Sequence, residues 1–220
     1  IPPEVELRPP AAKGDVSRAV EEGADIIGLV DGYFETTAAV WHKEILHALA
    51  HGARVFGAAS IGALRAAECS TFGMIGIGAI YHAYAEGRIE DDAEVALLHA
   101  PRELGYAPLS EPMVNVRATL EYLRQLGLVA ERQATALLET ASSIFYKERT
   151  WAAVLARSAL PLSEIARIGP VLQQHRVDQK RLDAQALLAA VARAGEGGRP
   201  ESPSWELSQT SYLRAITTQR

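Results

Sequence analysis

The residue best placed to do chemistry in this chain is a serine at the corner between an apolar strand pattern and an alanine-rich helix pattern. Residues 54–68 read Arg-Val-Phe-Gly-Ala-Ala-Ser-Ile-Gly-Ala-Leu-Arg-Ala-Ala-Glu, and Ala58-Ala59-Ser60-Ile61-Gly62 is one methyl away from Gly-x-Ser-x-Gly. In that pattern a sharp strand-to-helix turn lifts a serine hydroxyl above the sheet edge, and small neighbours let the backbone pass closely. The helix start adds N–H groups without intrahelical acceptors, which can hold a developing negative charge. Ser60 is therefore a candidate nucleophile with an oxyanion site beside it. The competing structural explanation is that Ala and Gly let a helix pack tightly on a strand.

Other polar groups are expected at the same edge. In a parallel sheet the loops leaving the carboxyl ends of the strands gather on one side. Asp31, in Val30-Asp-Gly-Tyr-Phe-Glu35, leaves one strand there, and Ser60 leaves the next. The helix following Asp31 starts there too, which brings Trp41-His42-Lys43-Glu44 within about two turns of that surface. His42 or Lys43 can then serve as base for Ser60, and the spacing does not choose between them. An Asp-Gly turn and a solvated Lys43-Glu44 pair are the plain alternatives. Arg65 and Glu68, about one turn apart, can pair with each other, or Arg65 can bind a carboxylate near the corner.

Several features point away from metals and nucleotides. His47 and His51 lack a nearby third ligand and the His-Glu-x-x-His pattern, so exposed or capping histidines are expected and no metal. Gly76-Ile-Gly78 has neither the third glycine of a dinucleotide fingerprint nor an acidic residue at the ribose position, so no cofactor is expected. Cys69 reads as a packing residue. Glu90-Asp-Asp-Ala-Glu94 reads as a solvated strand entry. Gln173–Asp183 reads as a polar, charge-mixed connector between helices, suited to a partner contact.

The elements that must position these groups follow from periodicity. A strand is expected at Val5–Arg8, a helix from Asp15 to Glu22, and a strand at Asp25–Val30 buried on both faces. A helix capped by Thr37 runs through His51, followed by a strand at Arg54–Ala59 and helices at Gly62–Cys69 and Ala79–Glu86. Val95–His99 reads as another strand, stopped by Pro101. Strands separated by such helices make a parallel, doubly wound α/β sheet. After Ser110-Glu-Pro112 the pattern is helical: 110–126, Glu131–Ser158, Leu162–Gln174 and Arg181–Ala194. Gly195–Ser204 reads as a loop, and Trp205–Leu213 as a tail that docks back. The expected partition is an α/β region over 1–109 and a helical, partner-docking region over 110–220.

The 220 residues are 48% hydrophobic and 22% charged, with one cysteine and a net charge of −5, which is ordinary globular composition. Residues 1–110 carry 8 Lys+Arg against 16 Asp+Glu, and residues 111–220 carry 14 against 11, for net charges of −8 and +3. Neither half has a dense basic stripe, so nucleic acid is not an expected partner. No apolar run reaches membrane-spanning length. The lone cysteine fits a cytoplasmic location. The sequence opens on Ile1 directly before a strand pattern, and a further N-terminal strand and helix are expected to precede it.

Ordered segments of the chain resemble the TfuA-like family: Pro9-Pro-Ala-Ala-Lys-Gly-Asp15, Ile27-Gly-Leu-Val-Asp-Gly-Tyr-Phe34, Trp41-His-Lys-Glu-Ile45, Phe56–Glu68, Phe72–Gly78, Asp91-Asp-Ala-Glu-Val95, Pro112–Arg117 and Val177–Asp183. The family usually opens with a strand ending in a Gly-Pro loop, absent here, and Cys69 is foreign to its pattern. The resemblance implies a partnership with a YcaO enzyme, which uses ATP to activate a peptide amide oxygen for replacement by sulfur in ribosomally made peptides. It also implies sulfide release by hydrolysis of the C-terminal thiocarboxylate of a ThiS-like sulfur-carrier protein. On that expectation Ser60 attacks the terminal carbonyl or positions water, His42 or Lys43 moves the proton, and Asp31 orients the base. Arg65 and Glu68 flank the anionic terminus, and a thin carrier tail threads past Gly57 and Gly62. The alternative is a non-catalytic adaptor that docks the carrier onto YcaO. A small-molecule hydrolase is the third reading, disfavoured because Asp31 and His42 precede the serine.

Overall fold

In a computed structural model, the described residues are 5–33, 37–195, 203–208 and 210–211. They fall into two compact units, one from 1–90 with 180–220 and the other 91–179.

The first unit is a three-layer α/β arrangement. Three parallel strands, β1 (Ile26–Leu29), β2 (Arg54–Ala58) and β3 (Ile75–Ile77), pair in the order β1-β2-β3. Leu29 lies opposite Gly57, and Ala58 opposite Ile77. Around them run α1 (Asp15–Glu21), α2 (His42–Ala50), α3 (Ile61–Cys69), α4 (Gly78–Ala85) and α9 (Gln179–Gly195).

Alternation along each strand divides the core into two faces. Ile27, Leu29 and Val55 face a cluster with Val16 of α1, Ile45, Ala48 and Leu49 of α2, and Ala66 and Cys69 of α3. Ile26, Val30, Phe56, Ala58 and Ile77 face the other way and meet Ala184, Leu187 and Val191 of α9. Gly28 eases that contact, because a Cβ would sit 2.8 Å from the end of the Leu187 side chain, which would have to shift. Helix α9 therefore covers the face left open by α2 and α3. It runs antiparallel to the strands: Asp183, near its start, meets the residues just after β3, and Ala194, near its end, accepts a hydrogen bond from Arg54 at the start of β2.

The second unit is helical. Helices α5 (Met113–Gln125), α6 (Glu131–Ser143), α7 (Trp151–Arg157) and α8 (Leu162–Gln174) bury one cluster that includes Val116, Leu123, Leu137, Val154, Ile168 and Leu172. Arg149, buried, donates to the carbonyls of Ala141 and Ile144 and satisfies the C-terminal end of α6.

Several expected boundaries differ. Residues 5–8 form no strand. Helix α2 begins at His42 rather than near Thr37, because Trp41 is still extended and Glu44 turns back to accept its N–H. The third strand lies in the glycine-rich passage, not at 95–99, where His99 makes only an isolated bridge to Pro108. The run from 131 to 158 breaks at Ile144–Thr150. Helix α9 was expected within a helical region starting at 110, yet it packs on the sheet. Trp205 does dock back, donating from its indole nitrogen to the Phe72 carbonyl at 3.1 Å. Most of the expected 195–204 loop, and residues 209, 212 and 213 of the expected tail, lie outside the described residues.

Candidate functional site

The corner before α3 is a tight turn. The Ser60 N–H donates to the Ala58 carbonyl at 2.7 Å, two residues back, and Ala59 between them has φ 68°. A non-glycine residue in that conformation stores strain of about 1–3 kcal/mol, and such strain collects at functional sites. The strained apex is thus Ala59, and Ser60 follows it as the N-cap of α3. Ser60 is only 4% exposed, and its hydroxyl makes no hydrogen bond among the described residues. It does not cap α3, and it is not among the fully buried polar atoms left without a partner, so it keeps some contact with solvent. Of the nearby amides, Ser60 N–H closes the turn and Gly62 N–H donates to the Val30 carbonyl at 3.2 Å. The N–H of Ile61, first residue of α3, has no intrahelical acceptor and is the donor left beside the hydroxyl.

Asp31 stands next to this corner. Its neighbours on either side both touch the first turn of α3: Val30 through the bond to Gly62, and Gly32 through close packing on Ile61. One carboxylate oxygen accepts from Gly32 N–H at 2.9 Å, and the other accepts from the Lys180 ammonium at 3.1 Å. Lys180 is 8% exposed. Three residues on, Asp183 accepts from the N–H groups of Ala79 and Ile80 at 3.1 and 2.8 Å and so caps α4. Gly78 must lack a Cβ there: its φ is +93° and its Cβ position is filled by the Asp183 carboxylate. The first turn of α9 therefore reaches from the carboxyl end of β1 to that of β3. Ala184 and Leu187 pack with Ala58 and Ala59 between them, at the end of β2. Asp31, Ser60, Lys180 and Asp183 share one edge of the sheet.

The other expected groups are placed elsewhere. His42 and Arg65 converge on Glu68, at 2.7 and 2.5 Å, and Arg65 also donates to the Val40 carbonyl at 2.9 Å. Glu68 lies about 12 Å along α3 from Ser60 at 1.5 Å per residue. No hydrogen bond joins His42 to Ser60, and Lys43 makes no ion pair among the described residues. The pairing of Arg65 with Glu68 is the plainer of its two expected roles. Gly57 and Gly62 stand back to back. A Cβ on Gly57 would run into the Gly62 carbonyl, and one on Gly62 into the Leu29 carbonyl, so these glycines seat α3 on the strands.

Glu44, for which solvation was the plain alternative, is 0% exposed and accepts from Gly14 N–H at 2.7 Å and Trp41 N–H at 3.0 Å. Burial pushes its carboxyl above the usual range, opposed by backbone N–H bonds that include Val16 and Ser17 of α1. His47, expected at the surface, is buried with an unbonded Nδ1, and burial depresses its pKa; His51 caps the end of α2. Among the described residues no group of three His, Cys, Asp or Glu is arranged to hold a metal.

Sequence reasoning missed Lys180 and Asp183 as site residues. The signals for them were the dense polar segment at 173–183 and the resemblance of Val177–Asp183 to the family pattern, while the partners that Lys180 and Asp183 meet lie over 100 residues away. A family model described as TfuA-like protein matches residues 31–150, more than half of the chain, which takes in Asp31 and Ser60 but not Lys180 or Asp183. A search of curated proteins finds no match.

Proposed function

The chain belongs to the TfuA-like family, whose members act in the YcaO-associated thioamidation system, and on that premise we propose that this protein releases sulfide from the C-terminal thiocarboxylate of a ThiS-like carrier and supplies it to a YcaO enzyme. One observation carries the reading: a hydroxyl with no hydrogen bond among the described residues, on a strained strand-to-helix corner beside the ion pair of buried Lys180 with exposed Asp31. Hydrolysis of a thiocarboxylate is acyl transfer, with a tetrahedral oxyanion on the way. Ser60 Oγ attacks the terminal carbonyl carbon, its proton passes to Asp31, and the Ile61 N–H faces the developing oxyanion. The C–S bond breaks, and water then cleaves the Ser60 ester to give the carrier carboxylate. Neither His42 nor Lys43 is needed as base in this geometry. The released sulfide passes to YcaO in the cytoplasm, where ATP activates the peptide amide oxygen that sulfur replaces.

The test is sulfide release from thiocarboxylated carrier in the absence of YcaO. Ser60→Ala and Asp31→Asn are expected to lower kcat about 100-fold, the scale of positioned nucleophilic and acid–base catalysis, while His42→Ala and Lys43→Ala stay within about twofold. Carrier binding without release by the wild-type chain supports the adaptor instead.

A further inference from the structure

We infer that Lys180 is a catalytic residue of this site, the acid that delivers a proton to the departing sulfur; this rests on the sulfide-releasing reading above. A thiocarboxylate is already an anion, so an oxygen nucleophile that displaces its sulfur expels a doubly charged sulfide unless a proton arrives as the C–S bond breaks. Serine cannot supply that proton from the attacking side. An ammonium can both attract the anionic terminus and protonate its sulfur, since it carries three donors and a full positive charge.

Lys180 is the ammonium at this edge that is held in place. It is nine-tenths buried, its charge is matched by Asp31 at 3.1 Å, and Asp31 is bracketed by two residues that touch the first turn of α3. A side chain with four rotatable bonds needs such an anchor to act as an acid. Asp183, one turn further along the helix, fixes the register by capping α4 through Ala79 and Ile80. Lys180 and Asp183 are offset by three residues, so they share a face of α9, and that face lies over the end of β2.

The protons balance. Ser60 Oγ gives its proton to Asp31 as it bonds to the carbonyl carbon. Lys180 gives one to sulfur as the C–S bond breaks, and sulfur leaves as hydrosulfide. Asp31 returns the serine's proton to Lys180 across their ion pair. The thiocarboxylate and the serine hydroxyl have become an ester and hydrosulfide; water then hydrolyses the ester, restores Ser60 and leaves the carboxylate and one proton.

The experiment compares two carrier termini, the thiocarboxylate and an aryl thioester, with the full-length chain. An aryl thiolate leaves as a stable monoanion and needs no proton. Lys180→Arg keeps the charge and the partner Asp31 but does not give up a proton, and Lys180→Met removes both. For Lys180→Arg we expect kcat on the thiocarboxylate to fall about 100-fold with KM within about threefold, and kcat on the aryl thioester to stay within about threefold of wild type. Lys180→Met should raise KM for the thiocarboxylate as well. Lys180→Arg with wild-type kcat on the thiocarboxylate overturns the role of Lys180 while leaving the sulfide-releasing reading intact. Equal losses on both termini reduce Lys180 to a structural residue and likewise overturn the proposal. A wild-type chain that releases no sulfide overturns the functional reading, and the role of Lys180 falls with it.

Discussion

Replacing Gly62 by alanine separates two accounts of the corner that predict opposite signs. Gly62 lies in the first turn of α3 with an ordinary helical φ, so helix propensity alone favours alanine by about 0.5–1 kcal/mol. The structure predicts the reverse. A Cβ on Gly62 would stand 2.6 Å from the Leu29 carbonyl carbon and closer still to its oxygen, where real Cβ atoms keep beyond 3.0 Å. The obstacle is strand backbone, which cannot rotate away, so the first turn of α3 must retreat by roughly 1 Å. Overpacking of this kind costs about 1–3 kcal/mol. The retreat also pulls Gly62 N–H off the Val30 carbonyl, a further loss of about 1 kcal/mol. Set against the propensity gain, the net is a destabilisation of about 2–3 kcal/mol. Urea unfolding followed by far-UV circular dichroism measures it. Gly73→Ala is the control: its φ is +105° and nothing lies within 4 Å of its Cβ position, so only backbone strain of about 1–2 kcal/mol is expected. Gly62→Ala at or above wild-type stability would refute the close seating of α3 on β1.

Further outcomes follow from the same geometry. Glu44→Ala strands the Gly14 and Trp41 N–H groups and should cost about 2–5 kcal/mol in urea unfolding. Burial raises the folded pKa of Glu44, so its stabilising contribution is complete in acid and is lost as pH rises through that raised value. The stability of wild type relative to Glu44→Gln should therefore fall as pH climbs above the ordinary 4.5, and a rising difference would contradict it. Burial pushes the Cys69 thiol up to about 11, so iodoacetamide at pH 8 should leave the native protein unlabelled and label it in urea; rapid native labelling would place the thiol at the surface. Asp183→Ala removes both caps of α4 and should cost about 2–3 kcal/mol in urea unfolding; an unchanged midpoint would show that α9 is not held there.

What the sequence made legible was local. The apolar run before Val30, the strand ending at Ala58, the corner at Ser60 and the helix to Cys69 all announce themselves by composition over a few residues. Strand β3 did not, because three residues with a glycine at their centre carry no alternation to read, and Gly76 is there to admit the Tyr81 ring. Val95–His99 has strand composition but, among the described residues, no neighbouring strand to pair with beyond the single bridge at His99. Helix α9 was recognised as a helix but not as the second cover of the sheet, since periodicity reports which residues share a face and not what that face meets. The partners of Lys180 and Asp183 stand 149 and more than 100 residues away in sequence. His42 was drawn toward Ser60 by proximity in sequence, whereas Glu68 offers it a charged partner at 2.7 Å.

The most direct measurement follows sulfide from thiocarboxylated carrier incubated with the purified chain alone, with Ser60→Ala in parallel. Turnover well above the uncatalysed rate for the wild type, falling about 100-fold in the variant while carrier affinity is kept, is the outcome this account predicts. Equal release by the two proteins, or no release by either with carrier still bound, would contradict it.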